Sequence, residues 1–243
     1  MFLSIITPTF NSEKNILKNI ESLNLQEKIF EQIIVDNQSN DKTIEIINKI
    51  ANYPFRIISE KDNGIYDAMN KGTEISKGDF ILYLNSDDWL EPTTLKQVRE
   101  LITKNPHYDI YYGNTKYYNN DKLIFGKKSN LKKLNFTNSI SHQATYFKKD
   151  IFKSYSYDVG YKIAADYDLN LTLKKKKFKY FYIDKDLSNN SIGGYSSNLE
   201  ISFNDFLKIQ LKYNGTVLGL LFTFMEYRLN FFKLIFFKLF KKR

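Results

Sequence analysis

Along the first hundred residues, short apolar runs alternate with stretches whose apolar residues recur every three or four positions. Phe2–Thr7, Gln32–Val35, Phe55–Ser59 and Asp79–Leu84 read as strands, each ending in a turn of polar residues or proline. Between them, Lys14–Leu25 places Ile16, Leu17, Ile20 and Leu23 at helical spacing, and Thr43–Ala51 does the same with Ile44, Ile47 and Ile50. Ile65–Ile75 reads as a third helix and Pro92–Thr103 as a fourth. Strands and helices in this alternation predict a parallel sheet with right-handed crossovers. Ligands of such sheets sit beyond the carboxyl ends of the strands. Thr7–Phe10, Asp36–Ser39, Glu60–Gly64 and Asn85–Asp88 should therefore surround one crevice.

The pattern is less regular after residue 105. Ile110–Tyr118 and Lys122–Phe125 predict a hairpin around Asn119-Asn120, followed by a strand at Ala144–Phe147, a short helix at Tyr167–Leu173 and a strand at Phe178–Ile183. NNSIGGYSSN, residues 189–198, reads as a polar loop. No repeat or long linker divides this region from the first. At the C-terminus, Thr216, Gly219, Thr223, Glu226, Asn230 and Lys233 recur at spacings of three and four, forming a polar stripe on an otherwise apolar helix. Its longest uncharged stretch, Tyr213–Met225, is 13 residues, short of the ~20 needed to cross a bilayer. With lysines gathered at its end, the segment reads as a helix lying in a membrane surface.

Composition narrows the possibilities. The 243 residues contain no cysteine, which excludes disulfides, zinc–thiolate sites and cysteine nucleophiles. The start, MFLSIITPTF, lacks the basic region of a secretory signal, so the chain is expected to stay in the cytoplasm. The net charge of +9 is uneven: residues 1–100 carry 11 Lys+Arg against 16 Asp+Glu, and residues 101–243 carry 25 against 11. Nucleic-acid binding is the usual inference from such a basic chain. Here the charge is mostly lysine in an Asn- and Ile-rich chain, and that reading leaves the acids below unexplained; no nucleic-acid partner is expected.

The candidate chemistry lies in those acids. In GDFILYLNSDDW, a strand that looks buried ends in adjacent carboxylates, Asp87 and Asp88, whose repulsion and desolvation call for a compensating charge. A hard divalent cation, Mg²⁺ or Mn²⁺, suits them, since it is often held by one or two protein oxygens with phosphate and water completing the shell. The bare alternative is a pair of turn acids before the next helix. Asp36, after the second strand, is placed to accept hydrogen bonds from a ribose or base. EKDNGIYDAMNKG, residues 60–72, brings acid, amide and lysine groups to the crevice. ADYDL offers Asp166 and Asp168 at a helix start, where one of them is a candidate general base. His142, in SHQATYF, is one of two histidines.

TPTFN (7–11), IIVDNQSNDKT (33–43), EKDNGIYDAMNKG (60–72), ILYLNSDD (81–88), SHQATYF (141–147) and AADYDL (164–169) occur in that order. Together they resemble the family 2 glycosyltransferases of the GT-A fold, over about residues 1–195, and most of all the branch that builds bacterial exopolysaccharides such as colanic acid, and O-antigens. The resemblance implies a Rossmann-like, mostly parallel sheet flanked by helices, with 1–105 as nucleotide-binding half, 106–198 as acceptor-side half, and 199–243 as an amphipathic helical tail. It implies an inverting transfer of sugar from a nucleotide-diphosphate sugar, UDP in most members, to a hydroxyl of a glycan or polyprenyl-diphosphate-linked acceptor at the inner membrane face. Thr7, Pro8 and Phe10 would then line the base, Asp36 would bind base or ribose, and Asp62 and Lys71 would border nucleotide and donor sugar. Asp87 and Asp88 would hold ribose and metal, and Asp166 would be the catalytic base. His142, Asp168, Gly193 and Gly194 would stand near diphosphate and acceptor. Many members carry Asp where this chain has Asn85, which leaves open how Asp87 and Asp88 divide their contacts. A nucleotidyltransferase normally has a glycine-rich phosphate loop after its first strand, and TPTFNSEKN has no glycine. A non-catalytic sugar-binding relic is the remaining alternative.

Overall fold

Every residue of β1 (Leu3–Thr9) and β2 (Phe30–Asp36) is buried, polar Ser4, Glu31 and Gln32 included, as in strands covered on both faces. In the computed structural model, which describes residues 2–193 and 198–240 (side chains of the last helix as far as Arg228), they pair in parallel. With β3 (Phe55–Ser59) and β4 (Phe80–Tyr83) they form the order β3-β2-β1-β4, all parallel. Successive side chains point to opposite faces. Ile5, Ile34 and Leu82 thus pack with Ile16, Ile20 and Ile47 of α1 (Ile16–Asn24) and α2 (Thr43–Ile50). Ile6, Val35 and Ile81 pack on the other side with Met69 of α3 (Ile65–Ile75). Each such side chain contributes about 1.5–3 kcal/mol by leaving water. The approach of α3 is so close that a Cβ on Gly72 would lie 2.5 Å from the Ile6 side chain.

After β4 the chain runs past Asp87 and Asp88 into β5 (Trp89–Leu90), then α4 (Thr94–Lys104). The sheet continues with β8 (Thr145–Lys148) antiparallel to β4, β6 (Ile110–Asn119) antiparallel to β8, β9 (Tyr180–Ser191) parallel to β6, and β5 antiparallel to β9 at the edge. The expected hairpin is present: β7 (Lys122–Lys127) pairs with the far end of β6. One expectation is corrected. The segment from residue 189 is not loop from its start, because β9 runs on through Asn189, Asn190 and Ser191, all buried or half-buried. Register shifts around Gly113 let Leu187 cover that glycine, so the polar run is carried into the sheet.

α5 (Ala165–Lys175) packs beneath the mixed half, and the long α6 (Leu199–Phe240) covers it. Gly215, at φ 72° and ψ −178°, breaks α6 into two limbs, a conformation that favours glycine. The first limb belongs to the core: Phe206, Ile209 and Gln210 are buried, and Gln210 donates to the Tyr167 hydroxyl at 2.7 Å. The second limb folds back on the first. Gly219 meets the backbone of Gln210, and Tyr227 stands edge-on to Phe203 with ring centroids 5.1 Å apart. The stripe of Gly219, Thr223 and Glu226 faces inward, while Val217 (79% exposed), Leu218, Leu220, Leu221, Phe224 (59%) and Met225 face out. Among the described residues no helix is long and apolar enough to cross a membrane.

Candidate active site

The turn between β4 and β5 delivers Asp87 and Asp88 to the wall of a cavity of about 310 Å³. Because β5 pairs with β9, the end of β9 lies beside the acids: the Ser191 amide donates to Asp88 Oδ1 at 3.0 Å and its hydroxyl to the Asp87 carbonyl at 2.8 Å. Gln143 donates to Asp88 Oδ2 at 2.8 Å, and Asn19 of α1 ties down the carbonyls of Asn85 and Asp88. Asp88 is 2% exposed. Burial, and then the neighbouring charge of Asp87, push its carboxyl well above the ordinary range, and burial raises Asp87 as well.

Two charges ~4 Å apart repel by about 4 kcal/mol at an effective dielectric of 20, and desolvation adds several kcal/mol per ion. The two charged hydrogen bonds to Asp88, at about 1.5–3 kcal/mol each, do not offset that sum. The turn is therefore suited to a positive group, and the buried Asn85 Oδ1 beside it has no protein partner. Among the described residues no three His, Cys, Asp or Glu side chains gather into a metal cage. A cation here would take at most the two carboxylates and rely on ligand phosphate and water, a pattern that fits Mg²⁺ or Mn²⁺.

Across the cavity, the first turn of α5 presents Asp166, 5% exposed. His142 Nδ1 lies 3.1 Å from its Oδ2, Asn138 donates to both oxygens at 3.3 and 3.4 Å, and its Oδ1 receives the Tyr167 amide at 2.8 Å. Burial alone would raise this carboxyl, but the hydrogen bonds and charge of His142, then Asn138 and Tyr167, hold it below the ordinary carboxylate range. Asp166 is thus an anion at neutral pH. The loop leading into α5 is fixed from α6, where Asp205 accepts the amides of Lys162, Ile163 and Ala164 at 2.7, 2.7 and 3.3 Å.

The remaining candidates form a neighbouring group at the carboxyl ends of β1–β3. Asp36 is fully buried, and its oxygens accept from Ser39 and Ser59, so it clasps two loops together. Thr7 lies deeper than a crevice residue: its hydroxyl accepts from Gln32 at 2.9 Å inside the core, and Pro8 is buried beside it. Phe10, 57% exposed, stands at the rim. Asp62 is raised by burial, then by Asp67 and Asp36, while its Oδ1 holds the Gly64 amide. Lys71 is paired with Glu60 at 2.9 Å.

Asp87, Asp88, His142 and Asp166 therefore share one cavity, whereas Asp36, Asp62 and Lys71 sit near one another past the ends of β2 and β3 and do not line it. Asp168 joins neither. Two residues on, and so on the far side of α5, it accepts from Lys212 of α6 at 2.8 Å and ties that helix down; it does not line the cavity. Gly193, at φ 109°, follows β9; Gly194 lies outside the described residues. Reasoning on sequence missed Asn138, Gln143, Ser191 and Asp205. The amides and the serine carry no signal of their own, though Gln143, next to His142 in SHQATYF, and Ser191, in NNSIGGYSSN, stood inside stretches already singled out.

The profile of the family described as Glycosyl transferase family 2 matches residues 4–165. The PGL/p-HBAD biosynthesis glycosyltransferase of Mycobacterium bovis is 33% identical over 174 residues, 69% of this chain and 68% of the relative. The crystal structure of residues 1–349 of S. aureus TarS in complex with UDP superposes with a TM-score of 0.66 at 22% identity, covering 88% of this chain and 67% of that one. In the longer TarS structure this chain spans only 39% of the length. The mannosyltransferase PcManGT from Pyrobaculum calidifontis, in complex with GDP-Man and Mn²⁺, also gives 0.66, at 13% identity over 86% of this chain and 63% of its own. The likeness to these solved structures is one of fold.

Proposed function

The chain belongs to glycosyl transferase family 2, and from that premise we propose that it moves a sugar from a nucleotide-diphosphate sugar, a UDP-sugar, to an acceptor hydroxyl with inversion. The observation that carries the reading is the single cavity with a carboxylate pair on one wall and an anion–imidazole pair on the other. Asp87 and Asp88 would hold Mn²⁺ or Mg²⁺, which when bound neutralises charge on the departing diphosphate. Asp36, Asp62, Lys71 and Phe10 border the space left for nucleoside and sugar. The Asp166–His142 pair removes the acceptor proton as the hydroxyl oxygen bonds to the anomeric carbon. The bond from that carbon to the diphosphate oxygen breaks on the opposite face.

A thermal-shift panel of UDP, GDP, dTDP and CDP, each with Mn²⁺ or with EDTA, tests the donor site. A ligand at 100 times its Kd adds about 2.7 kcal/mol to stability. One diphosphate should raise Tm with Mn²⁺, lose the effect with EDTA, and lose it in Asp88→Ala. If none shifts the wild-type protein, the donor reading fails.

The acceptor reading rests on the second limb of α6. Its outward apolar face and the lysines that follow suit a membrane surface with anionic headgroups. The mycobacterial relative is named for PGL/p-HBAD biosynthesis, and TarS for poly(ribitol-phosphate), a polymer by name. We therefore assign a glycan or lipid-linked acceptor of surface polysaccharide assembly, met at the cytoplasmic membrane face. Removal of residues 216–243 should abolish co-flotation with vesicles containing anionic lipid. Unchanged flotation would remove the membrane contact from the proposal.

A further inference from the structure

Resting on the membrane contact proposed for the second limb of α6, we infer that the folded core supplies the other half of that contact. A lysine face, formed by the turn at Leu131–Asn135 and the end of α5, docks on an anionic lipid bilayer and sets the enzyme's orientation on it. Three stretches of the chain hold no Asp or Glu: residues 122–149, 169–183 and 206–225, with seven, five and two lysines. The fold brings parts of all three together. At the end of α5, Lys174 donates to the Leu131 carbonyl at 2.9 Å and Lys175 to the Tyr213 carbonyl at 3.2 Å. Asn214 donates to the Asn135 carbonyl at 3.2 Å, and Phe136 stands edge-on to Phe222 of the second limb with ring centroids 4.9 Å apart. Lys132, Lys133, Lys176 and Lys177 are exposed around this junction, and among the described residues none of the four is ion-paired.

The occupant follows from what lies side by side. Val217, Leu218, Leu221 and Phe224 are exposed on the limb, and Phe136, 48% exposed, joins them to the core, so an apolar strip borders the lysines. Nucleic acid would pair with the lysines and leave the strip in water. A second copy related by a two-fold axis would bury the strip but set lysine against lysine. A bilayer satisfies both, because its hydrocarbon margin takes the strip and its anionic headgroups take the ammonium groups. The other face of the sheet has a different character. Leu134, Leu173 and Ile209 belong to the core beneath the lysine face, whereas Ile47 of α2 packs in the core on the opposite side. The first hundred residues, which supply α1 and α2, carry 11 Lys+Arg against 16 Asp+Glu. Asn138, three residues past Asn135, lines the cavity and donates to Asp166. Docking on this face therefore turns the Asp166 side of the cavity toward the headgroups, where a lipid-linked acceptor has its hydroxyls.

Flotation of the full chain with vesicles tests the inference. Wild type should float with phosphatidylcholine vesicles that contain phosphatidylglycerol, and less as salt rises. A lysine near an anionic surface is worth about fivefold in affinity, so Lys132→Gln, Lys133→Gln, Lys176→Gln and Lys177→Gln together should weaken binding at least about 100-fold. The diphosphate-induced thermal shift should not change. Binding of this variant within about threefold of wild type would overturn the inference. A second readout needs no such variant. The chain has no cysteine, so Lys132→Cys and Lys49→Cys each carry a single polarity-sensitive label. Vesicles should shift the emission of the label at position 132 and leave the label at position 49, exposed on α2, unchanged. Equal shifts at both positions, or none at 132, would overturn the inference. Failure of the underlying reading looks different. Wild type that floats with neither kind of vesicle removes the membrane contact altogether, whereas a lysine variant that floats as wild type does leaves the limb as anchor and removes only the lysine face.

Discussion

The parallel half of the sheet, β3-β2-β1-β4, and the mixed half, β8-β6-β9-β5, treat buried polar groups in opposite ways. In the parallel half they form networks in which, among the described residues, only the Arg56 Nε is buried without a partner. Gln32 donates to Thr7 and Asn19 and accepts from the Tyr53 hydroxyl, all at 2.8–2.9 Å. Glu31 accepts from Ser4, Arg56 and the Lys77 amide. Where the turn after β4 meets the mixed half, the networks stay open: Asn85 Oδ1, Asn138 Oδ1 and His142 Nε2 are buried without partners, and all three residues line the cavity. Satisfied groups stabilise a scaffold, whereas unsatisfied groups cost free energy until a ligand completes them. The difference marks which half supports and which half reacts.

The largest expected effect falls on the closed side. Gln32→Leu leaves the Thr7 hydroxyl, the Asn19 Oδ1 and the Tyr53 hydroxyl unpaired in the core and should cost about 3–5 kcal/mol, read as a lower urea midpoint, with nucleotide specificity unchanged in what remains folded. A cost below about 1 kcal/mol would mean the network is not closed. On the open side the sign reverses. Among the described residues no side chain donates to the Asp87 carboxylate, so Asp87→Asn removes repulsion and weakens only a backbone hydrogen bond and the attraction to His142. The apo protein should gain about 1 kcal/mol, while the diphosphate-induced shift disappears.

The pH dependence sharpens this pair. Asp87 and Asp88 are raised in the fold, so the folded protein binds their protons more tightly than the unfolded chain does. Their contribution to apo stability is complete below about pH 4, the unfolded value, and is lost as pH rises through the raised folded value. The advantage of Asp87→Asn should therefore grow from acid toward neutral pH. Asp166 has the opposite sign: being lowered, its contribution is present above the ordinary value and is lost as pH falls through the folded one. A further effect is expected where the two limbs of α6 meet. A Cβ at Gly219 would stand 2.9 Å from the Gln210 backbone, so Gly219→Ala should cost about 1–2 kcal/mol by prising the limbs apart.

The same division decides how much could be read from sequence. β3 at Phe55–Ser59 and α3 at Ile65–Ile75 lie at the predicted residues, because β-α units are specified by local periodicity and pair with their neighbours. The continuation of β9 through Asn189–Ser191 had no such signal: its polar residues are buried by long-range pairing with β5 and β6. The stripe of α6 was visible, but its direction was not. Gly215 folds the second limb so that the polar side packs and the apolar side is exposed. Within the site, Asp87, Asp88, Asp166 and His142 stood out through the ordered motifs that hold them, since an acid at a helix start is common by itself. The groups that tune them come from far along the chain, as Ser191 comes to Asp88 across 103 positions.

A structure of the protein with UDP and Mn²⁺ tests the central claim most directly. The diphosphate is predicted in the cavity with the cation between it and Asp87-Asp88, and His142 Nε2 open toward the position of the acceptor. A diphosphate bound away from the acid pair, with the cavity between Asp88 and Asp166 empty, would contradict it.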